Sequence, residues 1–200
     1  MRAGVRSWPS AAARVEPGVT PAWRAVLLAG GRSSRMGTDK ALLPWRGGTL
    51  LDHMHATLRA AGAHEVIVSG DRPDLGGVPD VEPGTGPMGA LSQLLPQLQD
   101  GAWLIVPVDM PLLEEALIHA LLATTSACTC VEDHRLPMVL RIDDGVRAVM
   151  ADIGDRPGRE RSLRALQQSL CVESLPAAPW QHALRNCNTP EDWAALQKMA

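Results

Sequence analysis

The chain has no phenylalanine and no tyrosine, so six tryptophans carry all of its aromatic surface. That shortage removes the aromatic ladder on which single-stranded nucleic acid stacks. Lysine is scarce as well: Lys40 and Lys198 are the only two among nineteen Lys and Arg residues. There is no excess of positive charge, since the formal net charge is −3. Nothing here drives non-specific binding to a polynucleotide. No stretch approaches the ~18–20 apolar residues of a membrane span. The first twenty residues are rich in Arg, Pro, Gly, Ala and Ser and lack the apolar core of a secretion signal. Residues 1–20 are expected to be a disordered extension, or sequence upstream of the true start. These absences lead us to expect a cytoplasmic protein with no nucleic-acid and no membrane partner.

Metal-binding patterns are equally thin. Cys128 and Cys130 are separated by one residue, not by the two to four of a zinc site, and Cys171 and Cys187 are isolated. Buried thiols in a reducing compartment are the expectation. His53 and His55 fall two apart on an expected helix, so they do not share a face. What is present is apolar mass: 46% of 200 residues, enough for one domain with a sizeable core over residues 21–200.

The richest stretch runs from Val26 to Leu43. An apolar run over residues 25–29 reads as a buried strand. Gly30-Gly31 then break it, and a polar turn follows with Arg32, Arg35, Gly37 and Asp39-Lys40. Glycines let a backbone approach a ligand closely and aim several N–H groups at one place. The arginines and Lys40 add positive charge to the same loop, as a polyphosphate requires. A generic glycine-rich turn is the bland alternative. The spacing is neither G-x-x-x-x-G-K-[ST] nor G-x-G-x-x-G. In a chain that uses arginine almost everywhere, a lysine kept in this loop suggests a compact ammonium against a phosphate.

Strands alternate with helices through the first 125 residues. Strands are expected at 24–28, 65–69, 103–108, 127–131 and 137–142, with a short one over 171–174. Helices are expected at 50–61, 90–98, 112–123, 146–153 and 162–169. Thr189, Pro190 and Asp192 form a strong start for a last helix. The pattern predicts a single α/β domain: an open, mostly parallel sheet with helices on both faces, Rossmann-like in kind. Ligands of such sheets bind beyond the carboxyl ends of the strands.

Two acids deserve weighing. Asp109 ends a fully apolar strand, where a carboxylate is costly to desolvate unless it meets a cation. It reads as a Mg²⁺ ligand, the alternative being a helix N-cap before Pro111. Mg²⁺ typically takes one or two carboxylates plus phosphate oxygens. Asp80 is a second candidate, the alternative being a plain turn aspartate.

The order of blocks then carries a resemblance. Leu-Ala-Gly-Gly with Asp-Lys, Pro-Asp-Val-Glu-Pro-Gly-Thr-Gly-Pro-Met-Gly-Ala, Val-Pro-Val-Asp-Met-Pro and Arg-Asn-Cys-Asn-Thr-Pro-Glu-Asp run from Leu28 to Asp192. The chain resembles the molybdenum cofactor guanylyltransferases, nucleotidyltransferases of Rossmann-like fold. The resemblance implies GMP transfer from GTP to molybdopterin with Mg²⁺ and release of pyrophosphate. It also implies contacts with a molybdoenzyme or a cofactor-delivery protein. It assigns Leu28, Ala29 and Gly30 to the nucleotide loop and Lys40 to a phosphate; the loop's own chemistry adds Gly31 to the nucleotide contacts and puts Arg35 with Lys40 on the β- and γ-phosphates. Asp80 and Asp109 fall on its acidic positions, Asp109 being the metal ligand. Asn186 and Asn188 fall on a block placed near the acceptor. One departure stands out. Ser69 occupies a nucleotide-contacting position that better-known members fill with asparagine, and a hydroxyl cannot offer an amide's paired donor and acceptor. The adjacent Gly30-Gly31 favours guanine over cytosine by the same resemblance. Another nucleotidyltransferase, or a non-catalytic nucleotide- or cofactor-binding module, remains the alternative.

Overall fold

The computed structural model describes residues 22–30, 39–82 and 84–199. The expected extension over residues 1–20 lies outside them. Strand β1 (Trp23–Leu28) is buried on both faces. After the loop, a short turn (Lys40–Leu42) leads into a hairpin of β2 (Pro44–Trp45) and β3 (Gly48–Thr49). Arg46 and Gly47 close it with φ of 47° and 86°, the paired positive angles of a tight two-residue turn. Helix α1 (Leu50–Ala60) starts on Thr49, whose side chain and that of Asp52 exchange bonds with each other's backbone N–H. Such a cap is worth about 1 kcal/mol. Leu51, Met54, Leu58 and Ala61 all turn inward, as their spacing requires.

Strand β4 (Glu65–Ser69), helix α2 (Gly86–Leu94) and strand β5 (Gly101–Pro107) follow. Helix α3 (Glu115–Leu122) and the strands β6 (Cys128–Val131) and β7 (Met138–Ile142) come next. Helices α4 (Asp144–Gly154) and α5 (Leu163–Ser169), strand β8 (Glu173–Leu175) and helix α6 (Pro190–Gln197) complete the order. The six-stranded sheet runs β4-β1-β5-β7-β6-β8. β1 pairs in parallel with β4 and β5, and β6 with β8, while β7 runs antiparallel to β5 and β6. The sheet is therefore mostly parallel, with one reversed strand.

Alternation along the strands fills two cores, one on each face. Ala25 and Leu27 with Leu104 and Val106 pack against Met54, Leu58, Leu117 and Leu121 of α1 and α3. Val26 and Leu28 with Trp103 and Ile105 pack against Leu91, Met150 and Leu166 of α2, α4 and α5. Truncating such a leucine to alanine typically costs about 2–5 kcal/mol.

Several expected boundaries move. The helix expected over 90–98 begins at Gly86, because Pro87 suits a first helical turn, and it gives way to a 3-10 turn at Pro96. The helix expected from Leu112 begins at Glu115, after Leu112 and Leu113 have turned into the core. The last short strand cannot include Cys171, whose φ of 51° is left-handed, and starts at Glu173.

Candidate active site

The carboxyl ends of β4, β1 and β5 lie side by side, and a cleft of about 480 Å³ opens over them. Small-molecule sites commonly occupy about 300–1,000 Å³. Leu28, Ala29 and Gly30 line it from β1, Ser69 and Asp80 from the β4 side, Lys40 and Asp109 from the β5 side. The seven described residues that the sequence pointed to as the nucleotide site thus share one cavity. Gly31, Arg32 and Arg35 lie outside the described residues.

Two glycines make the floor possible. A Cβ on Gly30 would lie 2.6 Å from Asp80 Oδ2, so only glycine lets that carboxylate sit against the β1 end. Gly70 has φ of 126°, and a Cβ there would lie 2.8 Å from the Gly30 nitrogen. The turn after β4 therefore presses directly on the backbone that leaves β1. Ser69 is buried, and its hydroxyl is 3.5 Å from Asp80 Oδ1, the outer limit of a hydrogen bond.

The opposite wall is tighter. Asp39 accepts a bond from the Ala41 N–H at 3.0 Å and so caps the short turn that carries Lys40. Lys40 Nζ donates to Asp109 Oδ2 at 3.0 Å and to Asn188 Oδ1 at 2.7 Å. The Lys40 and Asp109 side chains are each only 16% exposed. Asp109 Oδ1 is buried and has no hydrogen-bond partner among the described residues. Asp109 is not a helix cap, because α3 begins at Glu115 with Glu114 before it. A buried carboxylate oxygen without a donor fits a cation. Among the described residues no three His, Cys, Asp or Glu side chains gather to hold a metal. A cation here would lean on Asp109 and on phosphate oxygens or water, which is the habit of Mg²⁺.

The C-terminal segment closes that wall. The Cys187 N–H donates to the Asp109 carbonyl at 3.0 Å, which brings Asn188 onto Lys40. The resemblance puts both Asn186 and Asn188 beside the acceptor; both are exposed, and only Asn188 bonds to Lys40 among the described residues. Burial, with the Asp109 charge second, pushes the Cys187 thiol up to about 11, so it packs as a neutral group. Thr189 and Asp192 cap α6 reciprocally. Trp193 of α6 packs at a tilt against Trp45 with ring centres 5.4 Å apart, and Trp45 meets the His53 ring at 5.9 Å. His53 Nε2 is 2.9 Å from the Pro111 carbonyl, and burial holds its pKa below the usual histidine value. It is a packing histidine.

Sequence reasoning missed two features. Arg72, in the turn after β4, bonds to the Ala29 carbonyl and to Asp39. A cation at the end of a strand next to a suspected phosphate loop was the available signal. A second cavity of about 400 Å³ shares Gly86 and Pro87 with the first and is lined by Arg135, Arg161 and Arg164. Arg161 and Arg164 are near in sequence, but only folding brings Arg135 to them.

A cleft across parallel strand ends, floored by glycine backbone and walled by a lysine–aspartate pair, defines a nucleotide-binding α/β protein. Residues 25–172 match the MobA-like NTP transferase domain, and the chain belongs to that family. It is 50% identical over 177 residues to the molybdenum cofactor guanylyltransferase of Xanthomonas euvesicatoria, covering 87% of this chain and 94% of that protein. In fold it is similar to a molybdopterin-guanine dinucleotide biosynthesis protein A from Archaeoglobus fulgidus, with a TM-score of 0.68 and 16% identity over 88% of this chain and 97% of that one. It is also similar to Rv0371c from Mycobacterium tuberculosis, solved in complex with manganese, with a TM-score of 0.63 and 19% identity over 90% of this chain and 100% of that one. No helix among the described residues is long and apolar enough to cross a membrane.

Proposed function

We propose that this nucleotidyltransferase moves GMP from GTP to molybdopterin. The observation that carries the reading is the convergence of Lys40, Asp109 and the Gly30 backbone on one cleft of nucleotide size. The 50% identical relative with that name supports the choice of substrates.

A terminal phosphate oxygen of molybdopterin attacks the α-phosphorus of GTP. A P–O bond forms there, the bond from the α-phosphorus to the bridging oxygen breaks, and pyrophosphate leaves with that oxygen. No covalent enzyme intermediate is needed, so the chain's work is positioning and charge neutralisation. Lys40 holds the β- and γ-phosphates, assisted by Arg35. Gly30 and Gly31 let the phosphates approach the backbone. Asp109 would hold Mg²⁺, which when bound supplies charge neutralisation for the phosphates and the leaving group. Ser69 and Asp80 face the nucleoside end. Asn188, bonded to Lys40, and Asn186 stand on the acceptor side. The reading takes the enzyme to act in the cytoplasm, where GTP is abundant. A molybdoenzyme or delivery protein receives the product.

Incubation with molybdopterin, Mg²⁺ and either GTP or CTP tests this. Pyrophosphate and a guanine dinucleotide are expected with GTP. A cytosine dinucleotide as the main product overturns the choice of base. Pyrophosphate release only with a sugar phosphate as acceptor overturns the choice of acceptor.

A further inference from the structure

Arg72 does not itself line the cleft, yet it bonds to two residues that do, Ala29 and Asp39. Its Nη2 donates to the Ala29 carbonyl at 2.8 Å and pairs with Asp39 Oδ2 at 2.6 Å. Ala29 is the last residue before Gly30 on the β1 wall. Asp39 caps the turn that carries Lys40. The Arg72 side chain is only 17% exposed. Its own backbone is fixed in turn: the Gly77 N–H donates to the Arg72 carbonyl at 2.8 Å, and Gly70 abuts Gly30. A rigid guanidinium can serve two acceptors in fixed geometry, which an ammonium on a flexible stem cannot do as well.

We infer that Arg72 is a positioning residue that sets the spacing between the Gly30 backbone and the Lys40 ammonium. Triphosphate binding uses both at once, so their separation matters as well as their presence. The inference rests on the functional reading above, because it takes GTP as the ligand that spans the two walls. Arg72 acts through Asp39 and the capped turn on Lys40, and has no need to meet the nucleotide.

The test is a double-mutant cycle on GTP affinity in the presence of Mg²⁺, with Tm measured alongside. Arg72→Gln in the otherwise native chain is expected to weaken GTP by about tenfold, the scale of a charge-assisted contact. In a Lys40→Ala background the same change is expected to weaken it by less than about twofold, because residues acting as one unit are not additive. Asp39→Asn, which keeps the cap acceptor and removes the charge that Arg72 pairs with, should reproduce most of the loss. Arg72→Lys should not restore affinity fully. Unchanged affinity in Arg72→Gln overturns the inference, and so does an equal loss in both backgrounds. Should Arg72→Gln fail to fold, Asp39→Asn carries the cycle alone, and unchanged GTP affinity there overturns it. Native protein that binds no GTP overturns the functional reading and this inference together, whereas native binding with indifferent variants removes the inference alone.

Discussion

The two walls of the cleft are built differently. On the β5 side, Lys40, Asp109 and Asn188 are locked at 2.7–3.0 Å, with one carboxylate oxygen buried and unpartnered. On the β4 side, Ser69 and Asp80 meet at 3.5 Å, and Asp80 is half-buried against glycine backbone. Short charge-assisted contacts define positions to a fraction of an ångström, whereas a long hydroxyl contact does not. The β5 wall is suited to fixed, highly charged partners, and the β4 wall to a partner recognised by shape and a few hydrogen bonds. The proposed phosphate chemistry and nucleoside selection thus sit on β5 and β4, with β1 between them.

The largest effect should come from the β5 wall. Asp109→Asn is expected to lower turnover by about a hundredfold or more, the scale of a lost transition-state electrostatic contact, while GTP still binds. Rates of Mg²⁺-dependent pyrophosphate release check it, and a near-native rate would give the metal to another residue. Lys40→Ala should weaken GTP by about tenfold to a hundredfold in titration calorimetry, since it removes a charged partner from a water-poor wall. Substitutions on the β4 wall should matter less. Ser69→Ala is expected to shift the preference for GTP over ATP by under about tenfold, with little change in Tm, because the 3.5 Å contact it removes is weak. A large loss of turnover from Ser69→Ala would erase the contrast between the walls.

Smaller effects sharpen the outer frame. Burial lowers the pKa values of His53 and His55, so the folded chain favours their neutral forms. The unfolded chain then binds more protons below the ordinary value of about 6.5, and stability should fall as pH drops through and below it. Asp52 and Asp192, lowered chiefly by bonds from the Thr49 hydroxyl and the Thr189 backbone N–H respectively, add their loss further down, below the ordinary aspartate value of 3.8. Melting curves for native protein and His53→Gln between pH 7 and pH 5 should separate the first window, with the variant showing the flatter response. Alkylation provides the mildest check. Cys171 is exposed, whereas Cys128, Cys130 and Cys187 are buried with pKa values pushed upward by burial. Native protein at pH 8 should label at Cys171 well before the other three, as read by mass spectrometry.

Much of this architecture is legible in the residues themselves. β1, β4 and β5 announce themselves as short apolar runs, and Thr49 and Thr189 mark two helix starts by cap chemistry that is wholly local. The cleft was legible because glycines, a rare lysine and a strand-ending aspartate are unusual at those places. Helix α3 starts three residues later than its pattern predicts, because Leu112 and Leu113 look helical in spacing but are buried before the helix begins. The order of the far strands, with β7 reversed between β5 and β6, depends on long-range pairing that no local pattern encodes. Arg72 and the three arginines of the second cavity escaped for the same reason. Their meaning lies in Ala29, Asp39, Gly86 and Pro87, all distant in sequence.

A crystal structure with GTP and Mg²⁺ bound tests the central claim most directly. The account requires the triphosphate over Gly30 with a phosphate oxygen on Lys40, and the metal on Asp109. A nucleotide seated only in the arginine-lined cavity, or a metal held away from Asp109, would contradict it.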